Sequence, residues 1–223
     1  MQVFFERRTE LAPGIWQYDF RPERSVDFVP GQYASLQLDG VTGDPRGSSR
    51  TFSFTSLPGE PFISFVLKHF ELQTPYKQRL QSLQTGNAAR LGDAMGDLVL
   101  PKNPAVPLIF VAGGIGIASF VSMLKTLLLD REERQIFFFY SLRSRQEQLF
   151  REITNAYPLA LSTLAISPNY ITAQEIVDSI PPDALIYLSG SQQFVEGLRG
   201  GLNTLGIPHD RIVFDYFDGY TEL

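Results

Sequence analysis

The sequence predicts two domains: an antiparallel β-barrel over residues 1–102 and an α/β domain with a parallel sheet over residues 103–223. Three observations predict this division. Short alternating stretches broken by Pro and Gly fill the first part, which is typical of antiparallel barrels. Strand and helix patterns alternate in the second part, which favours a parallel sheet with helices on both faces. Between the two parts, Pro101-Lys102-Asn103-Pro104 forms a short, stiff connector.

The first domain is predicted to contain five strands and one helix. The strands are predicted at Trp16–Phe20, Tyr33–Leu38, Thr51–Thr55, Phe62–Leu67 and Asp97–Leu100. Between Gln73 and Gln84 the pattern changes to helical periodicity. Thr74 is a good N-cap and Pro75 suits the first helical position, so this helix presents unpaired N–H groups at its start.

The second domain is predicted to alternate strands with helices from Leu108 onward. The strands are predicted at Leu108–Val111, Ile136–Tyr140, Leu159–Ile166, Leu185–Ser189 and Ile212–Tyr216, and the helices at Phe120–Leu129, Gln146–Ala156, Thr172–Ile180 and Phe194–Leu205. Ligands of such sheets gather beyond the carboxyl ends of the strands. The candidate site residues of this domain are therefore those that follow its strands.

Composition narrows the classes of function. A chain of 223 residues that is 43% hydrophobic can bury one large core or two small ones. The absence of cysteine excludes disulfides, cysteine-ligated iron–sulfur clusters and thiol redox chemistry within this polypeptide. His69 and His209 are isolated in sequence, so no metal site is predicted. A net charge of −5 argues against nucleic-acid binding.

No membrane span and no signal peptide are predicted. The longest apolar runs, such as 136–140, have the length of a strand and are far shorter than the roughly 20 residues of a spanning helix. The first five residues are followed at once by charges. A cytoplasmic location is therefore expected.

A glycine-rich turn follows the first predicted strand of the second domain. Gly113, Gly114 and Gly116 lack a Cβ, so the backbone there can approach an anion closely, and free N–H groups at the helix start can point at it. The spacing is not the strict Gly-x-Gly-x-x-Gly of dinucleotide-binding proteins. On these residues alone, nucleotide binding and an ordinary tight turn both stay open.

A second candidate site lies about sixty residues upstream, where Arg50-Thr51-Phe52-Ser53 occupies a predicted strand. Arg50 offers a planar fork of donors suited to a pyrophosphate, Phe52 a flat apolar face for a ring system, and Ser53 a hydroxyl at the edge of that ring. The alternative is an edge strand with a surface arginine and a core phenylalanine.

The ordered set of motifs along the chain resembles the ferredoxin–NADP⁺ reductase family, in the version without an iron–sulfur domain. Members of this family pair an FAD-binding barrel with a pyridine-nucleotide domain, and the resemblance spans nearly the whole chain. The motifs are Gly31-Gln32-Tyr33, the Arg-x-aromatic-Ser sequence from Arg50 to Ser53, the segment from Gly96 to Pro101, the segment from Ala112 to Ile117, and Phe217-Asp218-Gly219-Tyr220.

The resemblance implies an FAD-dependent NAD(P)H reductase. Hydride would pass from NADH or NADPH to flavin N5, and electrons would then pass to an acceptor such as a ferredoxin- or flavodoxin-like protein or another partner. Ser53 would bond N5, Arg50 would hold the FAD pyrophosphate, and Tyr220 would cover the flavin face opposite Phe52; Ser53 and Tyr220 are the expected catalytic residues. The residues expected to bind cofactors are Tyr33, Arg50, Thr51, Phe52, Ser53, Leu67, Lys68, Thr74, Pro75, Tyr76, Gly113, Gly114, Ile115, Gly116, Ser141, Arg143, Arg145, Gly190 and Ser191.

The chain departs from the family pattern at four places. Thr74-Pro75-Tyr76-Lys77 replaces a common Gly-x-x-Ser at the helix start. The segment 166–170 lacks the Ser-Arg pair that often binds the extra phosphate of NADP, which slightly favours NADH. However, Ser141, Arg143, Ser144 and Arg145 form a group that suits a ribose or that phosphate.

The other two departures fall on the nicotinamide side. Ala118-Ser119 stands where Thr-Pro is common, and Ser189-Gly190-Ser191 stands in place of Cys-Gly-Pro. Two alternatives to the reductase therefore stay open. One is a flavin-binding or regulatory module without NAD(P)H turnover of its own, and the other is an electron-transfer subunit that works only in a larger complex.

Overall fold

The first sheet is antiparallel and has six strands. A computed structural model describes residues 1–69, 73–159 and 161–217. The strands are β1 (Gln2–Ala12), β2 (Ile15–Pro22), β3 (Tyr33–Gln37), β4 (Ser49–Ser53), β5 (Ile63–Lys68) and β6 (Ala88–Leu91), in the spatial order β4-β3-β6-β1-β2-β5. Helix α1 (Pro75–Gln81) begins as predicted, because the Thr74 side chain accepts a hydrogen bond from the Lys77 N–H at 3.4 Å.

Two strands of this sheet, β1 and β6, were not predicted. In β1 only the first residues alternate clearly between buried and less buried positions, and the exposed run 7–11 carries three charges that hide the pattern. Pairing with β2 holds this strand, with register shifts at Phe5/Arg7 and Glu10/Ala12. Strand β6 has four residues, too few for a periodic signal.

The predicted strand at Asp97–Leu100 is wrong. Leu98 is buried as a strand residue would be, but the carbonyl of Val99 accepts from the Tyr187 hydroxyl at 2.8 Å. Gly96, with φ +105°, turns the chain just before this segment. Leu98 is therefore buried although residues 97–100 belong to no sheet.

The second sheet has five parallel strands, as predicted. They are β7 (Leu108–Gly113), β8 (Ile136–Leu142), β9 (Leu161–Ile166), β10 (Leu185–Ser191) and β11 (Ile212–Phe217), in the order β11-β10-β7-β8-β9. The helices are α2 (Ala118–Asp130), α3 (Arg151–Ala156), α4 (Ala173–Ser179) and α5 (Gln192–Thr204). The predicted helix at Gln146–Ala156 begins later than expected, since Arg145–Glu147 is a separate 3₁₀ turn.

Each face of the parallel sheet carries its own apolar core. Phe110 and Phe138 pack with Phe120 of α2 on one face. Ile109 and Val111 pack on the other face with residues of α4 and α5. This alternation follows from the period of two in a strand, and it explains why the strands read as continuous apolar runs.

Helix α2 joins the two sheets. The Ser122 hydroxyl donates to the carbonyl of Ser56 at 2.7 Å, and the Lys125 ammonium donates to the carbonyl of Thr55 at 2.8 Å. In sequence, the strands of the first sheet precede residue 102 and those of the second sheet follow it. The domain boundary at this residue stays a prediction. Within the described ranges, no helix is both long and apolar enough to cross a bilayer.

Candidate functional site

The glycine turn is shaped by close packing against β10 and α5. Strand β7 ends at Gly113, a 3₁₀ turn covers Gly114–Ile117, and α2 follows directly. A Cβ on Gly113 would lie 2.7 Å from the Phe194 ring, and one on Gly116 would lie 2.2 Å from the carbonyl oxygen of Ser189. Gly114 differs, because no described atom lies within 4 Å of the place a Cβ would take, and its φ is +55°. Gly113 and Gly116 therefore serve packing, while Gly114 is the open position of the turn.

The end of β10 lies against this turn. A Cβ on Gly190 would lie 3.2 Å from the Cα of Gly113. Ser191 caps α5, since its side chain accepts from the Phe194 N–H at 3.3 Å. The structure thus brings Gly190 and Ser191 beside the turn, as expected for residues that follow neighbouring parallel strands.

A row of three buried hydroxyls connects the two sheets at this point. The Ser53 and Ser119 oxygens are 3.1 Å apart, and the Ser119 and Ser189 oxygens are also 3.1 Å apart. All three residues are buried. Ser53 ends β4, Ser119 is in the first turn of α2, and Ser189 is in β10, so the two candidate sites meet here. Two of the family departures, at 119 and 189, are in direct contact.

Arg50 is held by a loop of its own sheet. Its side chain is 10% exposed, and its Nη2 lies 2.5 Å from Oδ1 of Asp44. Nη1 donates to the carbonyls of residues 46, 47 and 49, and the guanidinium lies 4.9 Å from the centre of the Tyr76 ring. Nε is buried and has no hydrogen-bond partner among the described residues. This Nε is a buried donor for which the described residues supply no acceptor, and such a group calls for an explanation.

Asp44 places a carboxylate between Arg50 and the start of α1. It accepts the backbone N–H groups of Tyr76 and Arg46, both at 3.0 Å. Burial works to raise the pKa of Asp44, but these two N–H bonds and the Arg50 guanidinium together outweigh it and hold the pKa below its ordinary value. The group is therefore an anion at neutral pH, bound where the sequence predicts a pyrophosphate.

The other predicted residues of the first sheet differ in what they offer. Phe52 is partly buried, with its ring 5.7 Å from that of Phe65. Tyr33 pairs with Ser53 in the β3–β4 register, and Thr51 is exposed. The side chains of Leu67 and Tyr76 belong to the core.

The start of α1 and the end of β5 have further partners. The Tyr76 hydroxyl donates to the carbonyl of Leu36 at 2.8 Å. Lys68 pairs with Glu147 at 2.6 Å, which links β5 to the segment after β8. Thr74 is buried and Pro75 begins the helix.

The residues predicted at the end of β8 separate into two groups. Ser141 is buried and pairs in register with Gly113, so it lies beside the glycine turn. Ile115, within the turn, is partly buried. Arg143 and Arg145 are exposed. Tyr220, the second expected catalytic residue, lies outside the described residues.

Sequence reasoning missed Asp44 and the contact made by Ser119. Asp44 lies in a loop that has no periodic pattern. The only sequence signal for its ion pair is that an arginine, Arg50, lies nearby in the chain. Ser119 was noted as a departure from a motif, which is the one signal the sequence offers for it. Within the described ranges, no group of three or more His, Cys, Asp or Glu could hold a metal ion.

An antiparallel sheet is joined by a helix to a parallel sheet, with a glycine turn at the junction, and this architecture recurs in solved structures. The chain superposes with a TM-score of 0.80 on the flavohem-like FAD/NAD-binding domain of nitric oxide dioxygenase from Vibrio cholerae O1 biovar El Tor, at 15% identity and over 98% of each chain. It also superposes on phthalate dioxygenase reductase, with a TM-score of 0.81 and 20% identity over 100% of this chain and 69% of that one.

Residues 110–199 match the family model of the oxidoreductase NAD-binding domain. The chain as a whole has the ferredoxin–NADP⁺ reductase-like fold, which confirms the predicted resemblance. In sequence, the chain is 24% identical to flavohemoprotein A of Dictyostelium discoideum over 100% of this chain and 61% of that protein. The chain spans about three fifths of the length of the flavohemoproteins it matches.

Proposed function

We propose that the protein is an FAD-dependent NAD(P)H oxidoreductase, which passes a hydride from nicotinamide to flavin N5 and then electrons to an acceptor. The observation that carries this proposal is the meeting of the two candidate sites at Ser53, Ser119 and Ser189, with 3.1 Å between successive hydroxyls. Hydride transfer requires the two rings in contact, so the site for each ring has to open onto the other.

The first sheet has residues that suit FAD. Bound FAD would supply the two-electron chemistry, while the protein binds and orients it. Arg50 would hold the pyrophosphate. Its buried Nε has no hydrogen-bond partner among the described residues and is the donor proposed to bind this group. Phe52 would face the flavin ring and Ser53 would bond N5. Tyr220 is proposed to cover the opposite face. The Vibrio cholerae domain named for FAD and NAD binding has the same fold, which supports this assignment.

The second sheet has residues that suit a pyridine nucleotide. Gly114 is the open position of the turn, so a pyrophosphate can approach the backbone there. Ser141 lies beside it, and Arg143 and Arg145 are available at the rim. We favour NADH over NADPH because the exposed segment 167–170 carries no cationic side chain for a 2′-phosphate.

The electron acceptor is proposed to be a protein or a further domain. The relatives named above include flavohemoproteins and a dioxygenase reductase, in which this fold is part of a longer chain. A cysteine-free polypeptide has no cysteine ligands for an iron–sulfur cluster, and the proposed route for the electrons is therefore through a partner. A ferredoxin- or flavodoxin-like protein fits this requirement, as does another redox protein.

An anaerobic titration of the FAD-loaded protein with NADH and, separately, NADPH tests the proposal. Rapid loss of the flavin's visible absorbance with NADH is the expected result. A flavin that stays oxidised with both nucleotides but is reduced by dithionite would contradict the reductase and favour the flavin-binding module.

The variant Arg50→Ala tests the FAD site separately. We expect it to lose FAD far more than it loses folding stability, because the guanidinium is the charge proposed to face the pyrophosphate. Arg79→Ala is the matched control, since Arg79 also donates to a backbone carbonyl of the neighbouring loop, that of Asp39, at 2.9 Å. Equilibrium dialysis of FAD measures the difference, and an Arg50→Ala protein that retains FAD at the wild-type affinity would refute the assignment.

A further inference from the structure

Helix α2 of the second sheet bonds the chain directly after β4 of the first. The helix follows the glycine turn, and Ser122 and Lys125 lie on one of its faces, three residues apart. The Ser122 hydroxyl donates to the carbonyl of Ser56, and the Lys125 ammonium donates to the carbonyl of Thr55. A carbonyl oxygen only accepts, so the direction of both bonds is fixed.

The two residues that α2 holds are also bonded to their own sheet. The Thr55 N–H and hydroxyl donate to the carbonyl of Ser64 in β5, at 2.9 and 3.0 Å, and the Ser56 hydroxyl accepts from the Ser64 N–H at 3.2 Å. Both residues are fully buried. Ser53, which ends β4, lies two residues before Thr55. The segment next to Ser53 therefore connects the first sheet with the helix that follows the glycine turn.

Each half of the proposed site is held within its own sheet. Arg50 is fixed by Asp44 and by loop carbonyls of the first sheet. The glycine turn is fixed by packing in the second sheet, where Gly116 lies against the carbonyl of Ser189. None of these contacts involves the two bonds from α2 to the first sheet. Removing either bond should therefore change the separation of the two halves more than the construction of each half.

We propose that Lys125 is a positioning residue, which together with Ser122 sets the distance between β4 and the glycine turn. This inference rests on the proposed function. The ammonium bonds Thr55, and the Cα lies about 10 Å along the helix axis from the turn, so Lys125 acts through Thr55 rather than on a bound nucleotide.

The expected consequence is a change in rate rather than in binding. Hydride transfer depends steeply on the separation and alignment of the two reacting atoms, and a misplacement of about 1 Å can cost up to about 100-fold in rate. Binding of either cofactor depends on contacts within one sheet. The loss of an α2 bond should therefore slow hydride transfer while both cofactors still bind.

The experiment measures binding and hydride transfer separately on the FAD-loaded protein. In anaerobic stopped-flow reduction, Lys125→Met should lower the rate at saturating NADH roughly tenfold. Ser122→Ala should lower it in the same direction, which keeps the test independent of how well the methionine fits. Equilibrium dialysis of FAD and the NADH concentration at half-maximal rate should be little changed. Lys125→Arg keeps a cationic donor and should restore the rate.

Tyr187→Phe is the matched control. It also removes a bond from the second sheet to a carbonyl of the earlier part of the chain, that of Val99, but this carbonyl does not belong to the segment next to Ser53. The variant should lower the free energy of unfolding in urea and leave the rate of flavin reduction unchanged.

A spectroscopic readout without turnover reports the contact of the two rings. The tetrahydro derivative of NADH cannot give a hydride, and its titration into the oxidised, FAD-loaded protein should produce a long-wavelength charge-transfer absorbance where the rings touch. Lys125→Met should bind this analogue with the wild-type dissociation constant but show a weaker absorbance.

Three results would overturn the inference. They are a wild-type rate and absorbance in both Lys125→Met and Ser122→Ala, an equal loss of rate in Tyr187→Phe, and a loss of rate that weaker retention of FAD explains. A wild-type protein whose flavin is not reduced by NADH would instead contradict the proposed function, and the inference with it.

Discussion

The substitution Asp44→Asn tests whether the protein holds its cofactor site with an anion of its own. The Asp44 side chain is 1% exposed and that of Arg50 is 10% exposed, so the pair is largely removed from water. The carboxylate lies 2.5 Å from Arg50 and accepts two backbone N–H groups, those of Arg46 and Tyr76. If a pyrophosphate binds the same guanidinium, the carboxylate and the phosphates compete for it.

The magnitude follows from the burial of the pair. Removing one partner of a buried ion pair costs about 3 kcal/mol, because the other charge is left uncompensated. Asparagine keeps an oxygen for the N–H groups but not the charge. If FAD binds as proposed, its pyrophosphate would restore the missing counter-charge, so the cost would fall on the cofactor-free protein. A difference of about 3 kcal/mol corresponds to roughly 100-fold in affinity, which is the upper limit of the expected gain.

The assay combines two measurements on the apoprotein. Urea unfolding should give a lower free energy of unfolding for Asp44→Asn than for wild type, and FAD titration followed by quenching of flavin fluorescence should give a lower dissociation constant. Asp39→Asn is the control, because Asp39 is exposed in the same loop and carries the same charge. If Asp44→Asn binds FAD no more tightly than wild type, the competition does not exist. If Asp39→Asn gives an equal gain, the effect is one of net charge.

Two further predictions concern stability. Burial and the positive charge of Lys77 lower the pKa of His69 to about 4, from about 6.5 in an unfolded chain. As the pH falls, the unfolded chain therefore binds the proton before the folded protein does. The free energy of unfolding should fall by at most about 1.4 kcal/mol per pH unit between about pH 6.5 and about pH 4. In urea unfolding, His69→Gln should lose this part of the pH dependence, and an identical pH slope in both proteins would contradict the role of His69. Gly116→Ala should lower the free energy of unfolding by about 2–3 kcal/mol, because its Cβ would clash with the Ser189 carbonyl. Gly114→Ala should lower it by only about 1 kcal/mol, because the sole cost is the positive φ. Equal losses of stability in thermal unfolding would contradict the packing role of Gly116.

The parallel sheet was predictable because its signal is local. Its strands are buried on both faces, so each reads as an apolar run, and the glycines and caps that end each element lie within a few residues. The antiparallel sheet was less predictable where the local signal failed. Charges in β1 hide the alternation. In the segment 97–100, Leu98 is buried and the Val99 carbonyl accepts from Tyr187, but the segment joins no ladder.

The site was predictable in its residue types but not in its contacts. The sequence identifies Arg50 as a guanidinium suited to phosphate, yet nothing in the spacing indicates that Asp44 already holds it. The distance along the chain between Ser53 and Ser119 is 66 residues, and that between Ser119 and Ser189 is 70. Such contacts depend on how the two sheets pack, which no short motif encodes.

The two departures from the family pattern on the nicotinamide side are one structural change. Proline at 119, as is common in the family, would fit the first turn of α2 but would leave the fully buried Ser189 hydroxyl without the partner it now has. A thiol at 189 would replace a strong acceptor for Ser119 by a weak one. Each serine therefore supplies the hydrogen-bond partner that the other needs. Ser119 contacts Ser53 directly, and Ser189 is connected to Ser53 through Ser119. For this reason the exchange of Pro and Cys for two serines is better explained as a substituted hydrogen-bond arrangement than as the decay of a nicotinamide site.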